Sequence, residues 1–345
     1  MKEVQKRIDD LILLGTWLEE FCGNYPNGNT EFVSLIRAQH FYNSWFIETF
    51  VLKTLEQWAK RLSAGSFEGM LDKYPDLKDG RQQHSVAVIP EENMPLAGIH
   101  DLISIVLTGH HFYCRNVNHE HDLLKYVTQY LISIDAEIKD YIHWCENFPK
   151  YCNTYLVFAK SGHSATFKSY FENKHSLIRQ KRISVGIIGP SDTKDDFTLF
   201  AKDIFAFFGI SSYNVRKIYF PQGFALPSFI DALEEYAYLY QYNRYANNYD
   251  YHKSVFMMDR IPFYDNGFII LRESPEHQVP IGCLYYEFYE TRAELLTKIN
   301  ESDNSIQNIV TTMPGFTNSV KPGCSHDFPL WDYTDHQDSI KFLLL

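Results

Sequence analysis

The stretch DIFAFFGISSYNVRKIYF, residues 203–220, contains a helical period, a break and a strand-like run in direct succession. Gly209 ends the helical part, and a polar turn at residues 211–214 follows it. The apolar run Val215–Phe220 then predicts a strand. A helix, a polar turn and a strand in this order indicate an α/β region whose polar groups are gathered in the turn.

The same alternation of helix and strand patterns extends upstream of this turn. Helical periods are predicted around Leu96–Leu107, His121–Ile134 and Ala165–Asn173. Short strand-like runs alternate with them at Ser85–Ile89, His111–Arg115, Tyr155–Phe158 and Ser184–Ile188. This alternation of strands and helices predicts βαβ crossovers and a mostly parallel sheet.

The two ends of the chain have a different pattern. Amphipathic helices are predicted at Val4–Phe21 and around Phe46–Trp58, followed by a polar, glycine-containing linker at Ser63–Gly80. Downstream of the turn, strands are predicted at Ser254–Met258, Gly267–Leu271, Ile281–Tyr286 and Asn308–Thr311, with a helix at Arg292–Ile299. These later strands indicate a second domain.

Composition excludes several classes of function. The chain has 345 residues and is 45% hydrophobic, which is enough for two packed domains. A net charge of −11 with scattered Lys and Arg argues against nucleic-acid binding. Without a membrane-spanning run or a signal peptide, we expect a cytoplasmic protein. The six cysteines have no paired spacing, so we expect reduced thiols and no metal site.

A second turn follows the predicted strand Ser85–Ile89. It reads PEENMPL over residues 90–96, and a helix with His100 and Asp101 comes after it. Ligands are held at the carboxyl ends of strands in open parallel sheets. On its residues alone, Asn93 before an X-Pro pair is typical of a turn former.

Motifs along the chain resemble a known family. Asn93, Pro95 and Leu96, with Gly98-X-His100-Asp101, match an Asn-X-Pro-Leu and Gly-X-His-Asp pattern. Further blocks resemble the family from about Arg7 to the carboxyl terminus, among them Pro221-Gln222-Gly223, YANNYDY at 245–251 and Trp331-Asp332-Tyr333. The chain resembles the acyl-CoA reductases of bacterial luciferase systems, the fatty acid reductases, which belong to the aldehyde dehydrogenase superfamily.

The resemblance implies two α/β domains, a mostly parallel Rossmann-like cofactor domain and a smaller catalytic domain. Residues 1–183 would hold the amino-terminal helices and the nucleotide-binding domain. Residues 184–305 would form the acyl-accepting domain, and residues 306–345 would return to the cofactor domain.

It also implies roles for individual residues. Ser212 takes the position of the nucleophilic cysteine, and Asn93 donates to the oxyanion. Arg115 stands where a Lys reaches the ribose or 2′-phosphate of NADP, and Ser161 and Gly162 lie in a turn that approaches the nucleotide. The implied cofactor is NADPH, and the implied substrate is a fatty acyl-CoA or acyl carrier that is reduced to an aldehyde. A homo-oligomer is compatible with this assignment.

Departures from the family pattern keep two alternatives open. A serine hydroxyl needs a positioned base, and an oxygen ester is a poorer hydride acceptor than a thioester, so Ser212 predicts impaired or lost reduction. Glu91 and Glu92 stand where small residues are expected and would repel phosphates unless they point away. The alternatives are an inactive acyl- or nucleotide-binding homologue or partner protein, and a serine acyltransferase or thioesterase with a base within about 3.2 Å of Ser212.

Other residues have ordinary roles beside their chemical ones. Arg115 can be a solvent-exposed residue at a strand end, and the turn around Ser161 can be a helix N-cap. Cys114 and Cys283 are predicted to be buried thiols without a catalytic role. His100 either supports the Asn93 turn or takes part in chemistry.

Overall fold

The computed structural model describes residues 2–79, 82–159 and 164–345. The chain divides into two compact units, one formed by Met1–Lys181 with Pro329–Leu345 and the other by Arg182–Phe328. Each unit contains one mostly parallel sheet with helices, so the predicted α/β class is confirmed.

The sheet of the first unit is entirely parallel in its described residues. Its strands are β1 (Ser85–Ile89), β2 (His111–Arg115), β3 (Ile142–Cys145), β4 (Thr154–Ala159) and β5 (His175–Gln180). They lie in the order β3-β2-β1-β4-β5. The central strands β1 and β4 are rich in buried apolar residues, as expected of strands covered on both faces.

Helices accompany this sheet. They are α1 (Lys2–Asn24), α2 (Thr30–Tyr42), α3 (Glu48–Arg61), α4 (Ala64–Lys73), α5 (Ile99–Thr108), α6 (Asp122–Ile134) and α7 (Ser164–Phe171). Helix α1 packs against α3, α5 and α6. On α7, Phe167 and Phe171 pack in a cluster with Tyr155 and Val157 of β4.

The predicted linker Ser63–Gly80 is wrong over its described part. This segment forms α4 and a 3₁₀-helix at Pro75–Lys78. Phe67, Met70, Tyr74 and Leu77 recur at helical spacing and are all buried. The polar residues between them lie on the exposed face, and they give the segment the composition of a loop although its buried face has helical spacing.

The second unit has a larger sheet. Its strands are β6 (Ile183–Ile187), β7 (Val215–Pro221), β8 (Tyr264–Asp265), β9 (Ile270–Glu273), β10 (Cys283–Tyr289), β11 (Ile306–Thr311) and β12 (Ser319–Val320). They lie in the order β12-β11-β6-β7-β10-β9-β8, and only β8 is antiparallel to its neighbour among these pairs.

The helices of this unit are α8 (Lys194–Phe205), α9 (Leu226–Asp231), α10 (Asn243–Met258) and α11 (Arg292–Glu301). The predicted strand Ser254–Met258 is wrong, since these residues form the last turns of α10. Phe256 is buried while Met257 and Met258 are 63% and 82% exposed. A short apolar run of this kind does not distinguish a strand from a helix end.

The carboxyl terminus returns to the first unit from Pro329, later than the predicted position 306. The difference arises because β11 pairs with β6 in the second sheet. After Pro329 the chain forms α12 (Ser339–Leu344), which packs against α5. A buried group anchors it: Arg179 Nη1 donates to Asp101 at 2.8 Å, and the Ser339 hydroxyl donates to the same carboxylate at 3.0 Å.

Candidate active site

The strand order of the first sheet contains a switch point. Strand order reverses between β1 and β4, which pair side by side with Ile89 opposite Val157. Ligands bind outside the carboxyl ends of parallel strands at such a switch point. The loop after β1 contains Asn93. The loop after β4, which contains Ser161 and Gly162, lies outside the described residues.

The Asn93 turn is built from left-handed backbone. Asn93 has a φ of 65°, Leu96 a φ of 54° and Gly98 a φ of 90°. A side chain on Gly98 would also approach Pro90 Cγ to 3.0 Å. Left-handed φ at a non-glycine residue costs free energy and persists where the surroundings enforce it. The turn is therefore a constrained structure and more than a simple chain reversal.

The Asn93 side chain is oriented by a residue far away in sequence. Asn43 Nδ2 donates to Asn93 Oδ1 at 3.2 Å, and Asn43 Oδ1 in turn accepts from the Trp45 backbone N–H at 3.1 Å. The Asn93 Nδ2 group makes no hydrogen bond within the described residues. The donor that an oxyanion would need is thus held in place but unused.

Two carboxylates lie at the start of this turn. Glu92 is exposed and Glu91 is partly buried. Burial raises the pKa of Glu91 to about 7, although the Lys181 charge acts in the opposite direction. At neutral pH Glu91 is therefore partly protonated, which reduces the repulsion that two charged glutamates would exert on a phosphate.

Arg115 ends β2, the neighbour of β1, and its side chain is exposed. Within the described residues it has no ion-pair partner. The preceding Cys114 is fully buried, and burial raises the pKa of its thiol. Cys283 in the second unit is buried as well, and burial raises its pKa to about 12. Both cysteines are buried thiols, as predicted.

His100 has a structural role. Its Nε2 donates to the Leu330 carbonyl at 2.7 Å, and its ring stacks on Tyr333 with centroids 4.4 Å apart. Burial lowers its pKa to about 4, so the ring is neutral at physiological pH. It ties α5 to the returning carboxyl-terminal segment.

The serine turn lies in the second unit, between α8 and β7. Phe207, Phe208 and Gly209 adopt φ of 52°, 56° and 72° in succession. Positive φ at two consecutive phenylalanines is strongly disfavoured in isolation. Both rings are buried, which supplies the packing that offsets this cost.

Asn214 holds the turn together. Its Oδ1 accepts from the Ser211 N–H at 2.8 Å. Its Nδ2 donates to the carbonyls of Asp203 and Ala206, both at 2.8 Å. These bonds satisfy backbone groups left open where α8 ends, and the side chain is completely buried.

Arg216 stabilises the turn through hydrogen bonds to backbone carbonyls. Its guanidinium donates to the carbonyls of Gly209 and Val279. Burial lowers its pKa to about 10, which leaves it charged at physiological pH. Sequence reasoning did not single out Arg216, because a cation inside a strand pattern gives no sign of what it contacts.

Ser212 itself is enclosed. Its side chain is 1% exposed, and its Oγ has no hydrogen-bond partner within the described residues. Its carbonyl accepts from Ser184 Oγ at 3.2 Å, and the neighbouring Tyr213 ring stacks on Phe328 at 4.2 Å. No histidine or carboxylate in the described structure is bonded to this hydroxyl as a base.

The predicted site residues therefore divide between the units. Asn93 and Arg115 lie in the first unit, at the ends of neighbouring strands, and Ser212 lies in the second. Sequence reasoning missed Asn43, which orients the candidate residue Asn93. It lies fifty residues before Asn93, and no local motif links the two.

The fold is that of the aldehyde dehydrogenases. Aldehyde dehydrogenase 21 from Physcomitrella patens, in complex with succinate, superposes with a TM-score of 0.65 at 9% identity, over 99% of this chain and 84% of that one. Lactaldehyde dehydrogenase from Escherichia coli gives 0.62 at 10% identity, over 91% and 75%. Aldehyde dehydrogenase from Bacillus cereus, in complex with NAD⁺, gives 0.59 at 10% identity, over 91% and 72%.

A scan against protein-family models finds no match, and neither does a search of curated proteins. In the described part of the chain, no helix is long and apolar enough to cross a bilayer. Within the same residues, no group of three His, Cys, Asp or Glu side chains is arranged to hold a metal ion.

Proposed function

We propose that this chain is a diverged acyl-CoA reductase-like oxidoreductase that binds NADPH and a fatty acyl thioester. Its turnover is impaired or lost because Ser212 replaces the cysteine nucleophile. The observation that carries the proposal is the Asn93 turn at the switch point of the first sheet. There a strained backbone and the Asn43 contact hold an amide donor that has no partner among the described residues.

The first unit has groups suited to a nicotinamide nucleotide. Arg115 is an exposed cation at the end of β2 and would contact the ribose or a phosphate, together with Ser161 and Gly162. The partly protonated Glu91 lowers the negative charge of the loop after β1. Bound NADPH would supply the hydride. The NAD⁺ complex of the Bacillus cereus protein supports this class of cofactor.

The remaining steps fall to the side chains of this chain. Ser212 Oγ would attack the thioester carbonyl and form an oxygen ester, while its proton passes to the departing sulfur and the thiol of CoA or the carrier is released. The resemblance gives Asn93 Nδ2 the role of donor to an oxyanion at the acyl carbonyl, and Ser212 would regain a proton when the aldehyde leaves. A serine with no base at hand performs the first step slowly.

A second candidate is an inactive homologue that binds an acyl group or a nucleotide. It is favoured by the Ser212 hydroxyl, which is buried and without a partner in the described residues. The same observation argues against a serine acyltransferase or thioesterase, because such an enzyme needs a base bonded to Ser212.

The test is to incubate the protein with a long-chain acyl-CoA and NADPH while NADPH oxidation, free CoA and covalent acylation are followed together. We expect Ser212→Cys to raise aldehyde formation above that of the wild type, since a thiol ionises more readily and forms a thioester. Asn93→Ala in that background should lower the rate by roughly 10²–10³-fold.

Ser211→Cys is the matched control, because it places a thiol in the same turn one residue away. If Ser212→Cys becomes acylated without oxidising NADPH, the reductase proposal fails on the cofactor side. If neither acylation nor oxidation follows, the protein is the inactive homologue.

A further inference from the structure

Two aromatic rings stack on each other at the surface of the first unit. Tyr42, the last residue of α2, and His119, in the loop after β2, have ring centroids 4.0 Å apart and planes inclined by 25°. Tyr42 is 52% exposed, and the His119 side chain is 51% exposed. About half of each side chain is therefore accessible to solvent.

The His119 ring is fixed in position. Asn118 and His119 have φ of 56° and 65°, so two consecutive residues adopt left-handed backbone. His119 Nδ1 lies 2.6 Å from Asp122 Oδ2, and Asn116 Nδ2 donates to Asp122 Oδ1 at 2.9 Å. Backbone strain of this kind persists when the surroundings enforce it, and it recurs in ligand clamps.

The pair lies beside the proposed nucleotide site. The loop that carries His119 begins at the carboxyl end of β2, which pairs with β1. On the other side, Asn43 directly follows Tyr42 and bonds to Asn93. Exposed Arg115 lies at the start of the His119 loop. One edge of the sheet therefore presents two half-exposed aromatic rings and a cation.

We propose that Tyr42 and His119 form a stacking platform for the adenine base of an adenine nucleotide, with Arg115 contacting a phosphate. The inference rests on the proposed function for the location of the nucleotide and adds the residues that recognise its base. Flat aromatic faces suit a flat base, whereas an acyl chain needs an apolar groove. The surrounding loop, with Asn116, Asn118 and Glu120, is polar.

The test is calorimetric titration of the full chain with AMP, NADP⁺ and CoA. Stacking of a base on an aromatic side chain contributes binding free energy, and its loss in Tyr42→Ala should weaken AMP binding by roughly 10- to 100-fold. Tyr42→Phe, which keeps the ring, should bind as the wild type does. Tyr251→Ala removes a tyrosine that is 64% exposed in the second unit and should also leave binding unchanged.

Ribose 5-phosphate isolates the contribution of the base. Wild-type protein should bind AMP more tightly than ribose 5-phosphate, and this preference should disappear in Tyr42→Ala and in His119→Ala. Equal AMP affinity in wild type and Tyr42→Ala overturns the platform, and so does the absence of AMP binding to the wild type. Circular dichroism confirms that the variants are folded.

These outcomes are distinct from failure of the proposed function. A protein that binds AMP through Tyr42 but forms no aldehyde from acyl-CoA retains the platform and lacks reductase activity. A protein that forms aldehyde with the same KM for NADPH and acyl-CoA in wild type and Tyr42→Ala is a reductase without the platform.

Discussion

The Asn93 turn and the Ser212 turn both contain left-handed backbone, but they differ in how accessible their polar side chains are. Both place non-glycine residues at positive φ next to a strand of a parallel sheet. At Asn93 the strain presents a partly accessible amide whose donor has no partner in the described residues. At Ser212 it accompanies a turn whose residues 211–214 are all buried, the Ser212 hydroxyl included. Strained backbone by itself therefore does not identify a working catalytic group.

The largest expected effect is a loss of stability at the Ser212 turn. Asn214→Ala leaves the Ser211 N–H and the carbonyls of Asp203 and Ala206 without their partner, and should lower the free energy of unfolding by about 2–4 kcal/mol. The matched control is Asn308→Ala, which removes a buried amide that makes one side-chain hydrogen bond within the described residues, to the Ser325 carbonyl at 3.3 Å.

Urea unfolding can assign this loss to one unit. All five tryptophans lie in the first unit, so their fluorescence reports on that unit alone: Trp17, Trp45, Trp58, Trp144 and Trp331. Asn214→Ala should shift the circular dichroism transition more than the fluorescence transition. Equal shifts for Asn214→Ala and Asn308→Ala would contradict the special role of Asn214.

The second largest effect is the pH dependence of stability that Glu91 causes at the Asn93 turn. The folded-state pKa of Glu91, about 7, lies above its ordinary value of 4.5. Between these values the folded protein keeps a proton that the unfolded chain releases, so stability falls as pH rises through this window. Above pH 7 Glu91→Gln should be more stable than wild type by on the order of 1–2 kcal/mol, after allowance for solvent screening of a partly accessible group.

Thermal unfolding from pH 4 to 8, followed by tryptophan fluorescence, measures this difference. Glu92→Gln is the control, because Glu92 is exposed. A difference between wild type and Glu91→Gln that does not change with pH would show that Glu91 is solvated like an ordinary carboxylate.

A smaller effect tests the strain at Asn93. Asn93→Gly and Asn93→Ala both remove the contact with Asn43, but only glycine adopts a φ of 65° without cost. Asn93→Gly should therefore be more stable than Asn93→Ala by about 1 kcal/mol. Urea unfolding monitored by tryptophan fluorescence provides the comparison, and equal stability would mean that the turn relaxes.

The smallest effect is expected at Ser212. Its hydroxyl forms no hydrogen bond to the described residues, so Ser212→Ala should change the free energy of unfolding by less than about 1 kcal/mol, towards greater stability. Ser184→Ala removes a hydroxyl that donates to the Ser212 carbonyl and should destabilise by about 1 kcal/mol. A clear loss of stability in Ser212→Ala would indicate a partner for the hydroxyl, such as a bound water or ligand.

Local sequence patterns predicted correctly those helices and strands that have a clear hydrophobic period and clear boundaries. The strand Ser85–Ile89 and the helix starting at Arg292 were predicted from spacing alone. Patterns failed where the signal was short or mixed. The run at 254–258 fits a strand or a helix end, and α4 has polar residues on its outer face.

The amino-acid sequence by itself determined the α/β class, the two turns at Asn93 and Ser212, and the residue types available in each. These depend on periodicity and turn chemistry, which act over a few neighbouring residues. Only the tertiary structure decided that Asn43 orients Asn93, that β11 joins the second sheet, and that the Ser212 hydroxyl is enclosed. Burial and hydrogen-bond partners depend on residues far apart in the chain, and folding alone brings these together.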